Sequence, residues 1–204
     1  EFVVGENAGK MNNAQGYWHM ALRGGGFSIW AQLLAYVQNA GLLALVVLGL
    51  GWVGVRGVWR SAPQAQRPAH LIILLVWLGV WLLVFTLPSQ RSARYVIPAM
   101  PALAMLIALY WDRIARGWFL ASLLLCSVFV GVMGRMAWAA HDLGIGHATD
   151  LYASLMATGV GAVLLLGGFA RPSWTRACTV ASCLTFYASF GLTTAPLNGA
   201  AGHY

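Results

Sequence analysis

Long uncharged apolar stretches alternate with short polar segments along this chain, and the stretches approach the ~20 residues a helix needs to cross ~30 Å of hydrocarbon. The pattern predicts six membrane spans, over about 29–55, 71–87, 96–112, 117–138, 151–170 and 177–192. A polar, glycine-rich juxtamembrane segment (1–28) precedes them and a polar tail (193–204) follows. Gln32, Tyr36, Gln38 and Asn39 interrupt the first half of the first span, so that half is expected to face protein or water instead of lipid. The third span is short, because an α-helix from Pro98 to Trp111 rises only ~21 Å. Either Arg113 and Arg116 snorkel to extend its lower end, or its upper end starts below the interface.

Composition agrees with a bilayer setting. Hydrophobic residues make up 60% and charged residues 8% of 204, with a mean hydropathy of +0.72, too apolar for a soluble domain. The expected class is all-α, a polytopic transmembrane helical bundle. A net charge of +7 would suit nucleic acid, but the basic residues stand singly between apolar runs and form no stripe. Loop topology explains them better, and no nucleic-acid partner is expected. Arg56, Arg60, Arg67, Arg113, Arg116, Arg171 and Arg176 fall on one side of the membrane, Lys10, Arg23, Arg91, Arg94 and Arg135 on the other. The poorer side is read as the outer face. It carries both termini and the Arg91 loop, and the setting is expected to be a bacterial inner membrane facing the periplasm. Cys126, Cys178 and Cys183 lie in apolar runs without CxxC spacing and read as packing residues. The chain begins at Glu1 with no signal-like leader, which reads as the interior or C-terminal part of a longer protein.

Arg91 and Arg94 need explaining because they share a short loop on the side that should be poor in arginine. Pro98 and Pro101 mark a helix start, where proline's missing N–H costs little. Two guanidiniums and Tyr95 would then stand at a helix N-terminus whose free amides favour an anion. The alternative is a pair of snorkelling anchors. Glu6 and Lys10 have the i,i+4 spacing of a solvated surface pair; alternatively Lys10 adds a third cation while Glu6 orients it or contacts a sugar. His141, Asp142, His147 and Asp150 are ligand types, but a spacing of six positions between the histidines, with two glycines inside it, fits a connecting loop better than a metal site. No P-loop, Gly-x-Ser-x-Gly or His-Glu-x-x-His occurs.

The run Ser89-Gln90-Arg91-Ser92-Ala93-Arg94-Tyr95-Val96-Ile97-Pro98-Ala99-Met100-Pro101 resembles the outward loop and following helix of polytopic glycosyltransferases that use polyprenyl-phosphate sugars. These are the protein O-mannosyltransferase and lipid A aminoarabinose transferase type, of the GT-C superfamily. Members show a basic residue, Tyr, two residues, Pro, two residues and Pro at the head of a membrane helix. Glu6-Asn7-Ala8-Gly9-Lys10 is similar to their Glu-Asn-x-x-Arg/Lys element. The likeness covers about the first 116 residues, and the last three spans share only hydropathy.

The resemblance implies transfer of a sugar from a polyprenyl-phosphate donor to a glycan, lipid or protein acceptor at the outer face. Arg91, Arg94, Tyr95 and Lys10 would hold the donor phosphate, and Glu6 and Asn7 would contact or orient the sugar. The catalytic acid is unassigned; the family's Asp or Glu belongs to an outer loop upstream of Glu1, and Asp142 and Asp150 are no substitutes. No cofactor is expected, and a divalent metal is left open. Two other readings stand beside this one: a transporter or flippase for a lipid-linked or anionic solute, which calls for broken helices near the midplane, and a non-catalytic membrane subunit.

Overall fold

The computed structural model describes residues 22, 28–57, 69–86, 92–144 and 148–201, the last with side chains through residue 194. All regular structure among them is helical. Four helices are long and apolar enough to cross a membrane, or five if one sharply bent pair counts as a span. This is the architecture of an integral membrane protein. The chain divides into two compact units, Glu1–Ile114 and Ala115–Tyr204.

The first unit departs from the expected spans in two places. Residues 29–55 form no single straight helix: α1 (Ile29–Asn39) and α2 (Ala44–Val55), joined through a 3-10 turn (Gly41–Leu43), meet at 105°. Ser28 caps α1, its Oγ accepting the Ala31 N–H at 3.1 Å. The break falls at Gly41, whose φ of +56° lies in the left-handed region that only glycine enters at little cost. Hydropathy does not register it, since both arms are apolar.

α3 (Ala69–Thr86) buries only Leu71 and Leu74 and turns the rest of its apolar surface outward, as a lipid-facing helix does. The third predicted span also differs. No α-helix starts at Pro98; a 3-10 helix (Ala93–Ala99) contains it and leads into α4 (Met100–Leu109), with Pro101 in the first turn. Two prolines delete two N–H donors within four residues, so the chain uses i→i+3 bonds until Met100, beginning with Tyr95 N–H on Ser92 O at 3.1 Å. The looser rise of the 3-10 segment matters, because the two pieces together climb about 29 Å, close to the hydrocarbon thickness.

The described residues of the second unit form α5 (Arg116–Asp142), α6 (Ala148–Ala170) and α7 (Thr175–Ala201), each packed on the other two. The last helix runs beyond residue 192, where the sequence pattern ended the sixth span, into the expected tail. On α5 the buried Phe119, Leu123, Cys126, Val130, Met133 and Ala137 follow alternating steps of four and three. α6 buries Ser154, Gly161 and Gly168 at steps of seven, and α7 buries Thr175, Thr179, Ser182, Ser189 and Thr193. Such spacing keeps one seam facing its neighbours. Small residues fill it because, in lipid, close backbone approach replaces the hydrophobic drive.

Side chains at the α6 glycines would collide. A Cβ on Gly168 would strike Leu123 Cδ2 and stand 3.2 Å from Cys178 Cβ, and one on Gly161 would lie 3.1 Å from Val130 Cγ1. Hydroxyls bridge the helices: Thr179 Oγ1 donates to Phe119 O at 3.0 Å, and Ser154 and Thr193 pair at 3.3 Å. Arg116 ties off one end. Its Nη2 donates to the Gly168 and Phe169 carbonyls at 3.1 and 2.8 Å, where α6 ends, and its Nε donates to Thr175 Oγ1 at 2.8 Å.

Candidate functional site

Of the residues singled out from sequence, Arg94 and Tyr95 are described; Glu6, Asn7, Lys10 and Arg91 lie outside the described residues. Arg94 and Tyr95 sit in the first turn of the Ala93–Ala99 3-10 helix, both exposed, instead of in a turn before an α-helical N-terminus. The α-helical N-terminus expected at Pro98 is therefore absent there, and the two residues stand in a 3-10 turn where the Tyr95 N–H already donates to Ser92 O.

The segment is held from the side by α1. Gln32, Tyr36 and Asn39 occupy one face at i, i+4 and i+7, and each donates to a backbone carbonyl. Gln32, almost wholly buried, reaches Phe85 O and Ser92 O, both at 3.4 Å. Tyr36 Oη reaches Leu78 O at 2.8 Å, and Asn39 Nδ2 reaches Ala35 O and Ala93 O at 2.8 and 2.7 Å. These three polar residues face protein, as their place in an apolar run suggests, whereas Gln38 is exposed. Gln32 and Asn39 thereby fix the carbonyls of Ser92 and Ala93, immediately before Arg94, while Tyr36 holds α3.

Arg94 differs from other arginines of the chain. Arg56 lies over Trp52 at 4.7 Å, Arg113 over Tyr110 at 5.7 Å, Arg171 over Trp174 at 4.4 Å and Arg176 over Phe119 at 5.4 Å. Those are interfacial anchors on aromatic platforms. For Arg94 the structure gives one hydrogen bond, Nε to Ser92 Oγ at 3.3 Å, and no such platform among the described residues. Its guanidinium keeps donors facing outward.

Tyr95 opens an aromatic row. Its ring stacks on Phe85 at 5.3 Å, and Phe85 stacks on Trp81 at 5.0 Å with the planes 7° apart. Ile73, Trp77, Trp81 and Phe85 follow one another at i+4 on α3, a row about 18 Å long. Below the stacked rings, a groove of about 440 Å³ runs along Ile72, Ile73, Val76, Trp77, Val80 and Trp81. Ile73 and Trp77 also line a crevice of about 540 Å³ between α3 and α4, completed by His70, Leu74, Met105, Ala108 and Leu109. The sequence reading missed this row. Aromatic i+4 spacing was visible in it, but only the hairpin between α3 and the 3-10 helix brings Tyr95 onto Phe85.

The polar loop after α5 assembles no metal centre among the described residues, where no group of three or more His, Cys, Asp or Glu converges. His141 lies in the last turn of α5 and Asp150 in the first turn of α6, where a carboxylate suits the helix dipole. His147 lies outside the described residues. No protein-family model, no curated protein and no solved structure matches this chain.

Proposed function

We propose that the chain is part of an integral membrane glycosyltransferase of the GT-C type, which transfers a sugar from a polyprenyl-phosphate donor to an acceptor at the periplasmic or lumenal face. One observation carries the reading: an outward-facing arginine stands at the head of a continuous aromatic and apolar row. A polyprenyl phosphate has the matching form, an anionic head on a long unsaturated tail. Arg94, with Arg91 and Lys10 added from the sequence motif, supplies the charge that stabilises the phosphate as it leaves the sugar. Tyr95 joins head to tail, its hydroxyl suited to the phosphate and its ring to the row. Trp81, Trp77 and the crevice beyond take the prenyl chain. Glu6 and Asn7 contact the sugar, and the acid that activates the acceptor is assigned to no residue of this chain.

Equilibrium binding of radiolabelled polyprenyl phosphate to the detergent-solubilised protein tests this reading. Arg94→Ala should weaken binding about tenfold, the loss of roughly 1.4 kcal/mol. Unchanged affinity would remove Arg94 from the site.

A second reading is favoured by the 105° break between α1 and α2. Broken helices line the substrate path of many transporters, and a carrier of a lipid-linked anion would use Arg94 as a translocation contact. Release of sugar from the donor separates the two, because a transporter leaves that bond intact.

A further inference from the structure

Cys126 of α5 and Cys183 of α7 point at each other inside the second unit, with their sulfurs 3.4 Å apart and both residues buried. The two helices run parallel, since Arg116 meets Thr175 and Phe119 meets Thr179 in the same order along both chains. Phe129 and Phe186 continue that register one turn further on, with ring centroids 5.8 Å apart. The thiols therefore face one another on a fixed seam between two interlocked helices. A disulfide needs sulfurs about 2.05 Å apart, so an approach of about 1.4 Å closes the bond.

We propose that Cys126 and Cys183 form an intramembrane dithiol that is converted to a disulfide by hydroperoxides dissolved in the bilayer. One thiol attacks the terminal oxygen of the hydroperoxide, the O–O bond breaks, and the organic fragment leaves as an alcohol after taking the thiol proton. The product is a sulfenic acid. The second sulfur then attacks the first, its proton joins the departing hydroxyl as water, and the S–S bond forms. In sum, one hydroperoxide and two thiols give one alcohol, one water and one disulfide.

The surroundings select this oxidant class. Apolar helices exclude charged and strongly polar oxidants, and buried thiols react slowly with reagents from water. Once the first sulfur is oxidised, its partner is already in place, which favours the disulfide over further oxidation. Ser122, one turn before Cys126, and Ser182, next to Cys183, are buried with hydroxyls that have no hydrogen-bond partner among the described residues. They provide donors near the pair for an oxygen-bearing intermediate. Cys178, also buried, faces α6, where a Cβ added at Gly167 would lie 3.8 Å from its Sγ, and takes no part.

The test uses the full chain in phospholipid vesicles, treated with cumene hydroperoxide, then denatured, alkylated and digested without reductant. The expected product is a peptide pair linked through Cys126 and Cys183 and released by dithiothreitol, with Cys178 fully alkylated. Cys178→Ser should give the same cross-link, whereas Cys126→Ser or Cys183→Ser should abolish it. Circular dichroism of each variant establishes that the helices persist. Full alkylation of Cys126 and Cys183 after treatment, their accumulation as sulfonic acids without a cross-link, or pairing through Cys178 would each overturn the proposal.

Discussion

Arg94 and Arg116 show how one residue type serves two purposes here. Arg116 spends its donors on the Gly168 and Phe169 carbonyls and on Thr175, so it is part of the second unit's framework. Arg116→Ala should lower that unit's stability by about 2–3 kcal/mol, through loss of charge-assisted hydrogen bonds to carbonyls left at a helix end. Thermal unfolding followed by circular dichroism reads the loss, and an unchanged midpoint would contradict the capping role. Gly168 is equally constrained from the opposite direction. Gly168→Val drives its side chain against Leu123 and Cys178 and should cost roughly 1–3 kcal/mol by overpacking, again seen as a lower midpoint. Arg94, by contrast, contributes a single hydrogen bond to a neighbouring serine. Its replacement should leave stability nearly unchanged and be felt in ligand binding.

At the scale of elements, the aromatic row on α3 makes a prediction of its own. If the row carries a prenyl tail, Trp77→Ala together with Trp81→Ala should weaken long-chain donors and leave short-chain analogues unaffected, because only the long tail reaches past Phe85. Unchanged affinity for both chain lengths would mean that the tryptophans merely face lipid, and equal losses that they act on the fold and not on the tail. How much of these elements could be read from sequence depends on what hydropathy measures. It locates apolar helices well, and α3, α5 and α6 lie close to the predicted stretches. It is blind to direction, so the Gly41 break inside an uncharged run passed as one span. The cue was present in Asn39-Ala40-Gly41, a helix-stop signal overridden by the length of the apolar run. Pro98 and Pro101 led to the expectation of a helix starting at Pro98, but their joint effect is a 3-10 turn that starts earlier and places Arg94 within it. That Gln32, Tyr36 and Asn39 turn away from lipid was legible, though not whether they meet protein or water; their partners, carbonyls about 40 to 60 positions away, were not, since they depend on how α3 packs against α1.

For the whole molecule, the residues of the proposed phosphate site belong to the first unit, and the close-packed helical bundle is the second. Its orientation is open to direct measurement. In a cysteine-free background, Arg94→Cys should react with a membrane-impermeant maleimide added to the outside of intact cells, and Arg113→Cys should react only after permeabilisation. The reverse pattern would invert the topology. The seam of glycine, serine and threonine in the second unit is what a bilayer requires of closely packed helices, but it names no chemistry. The proposed function rests on residues of the first unit and on the proposed donor. The most direct test is therefore sugar transfer from a polyprenyl-phosphate donor in membranes carrying the full-length enzyme of which this chain is proposed to be part, compared with its Arg91→Ala/Arg94→Ala double variant. The account predicts donor-dependent transfer that falls by at least about a hundredfold in the variant, the loss of roughly 2.7 kcal/mol of transition-state stabilisation; transfer undiminished by the double substitution would contradict it.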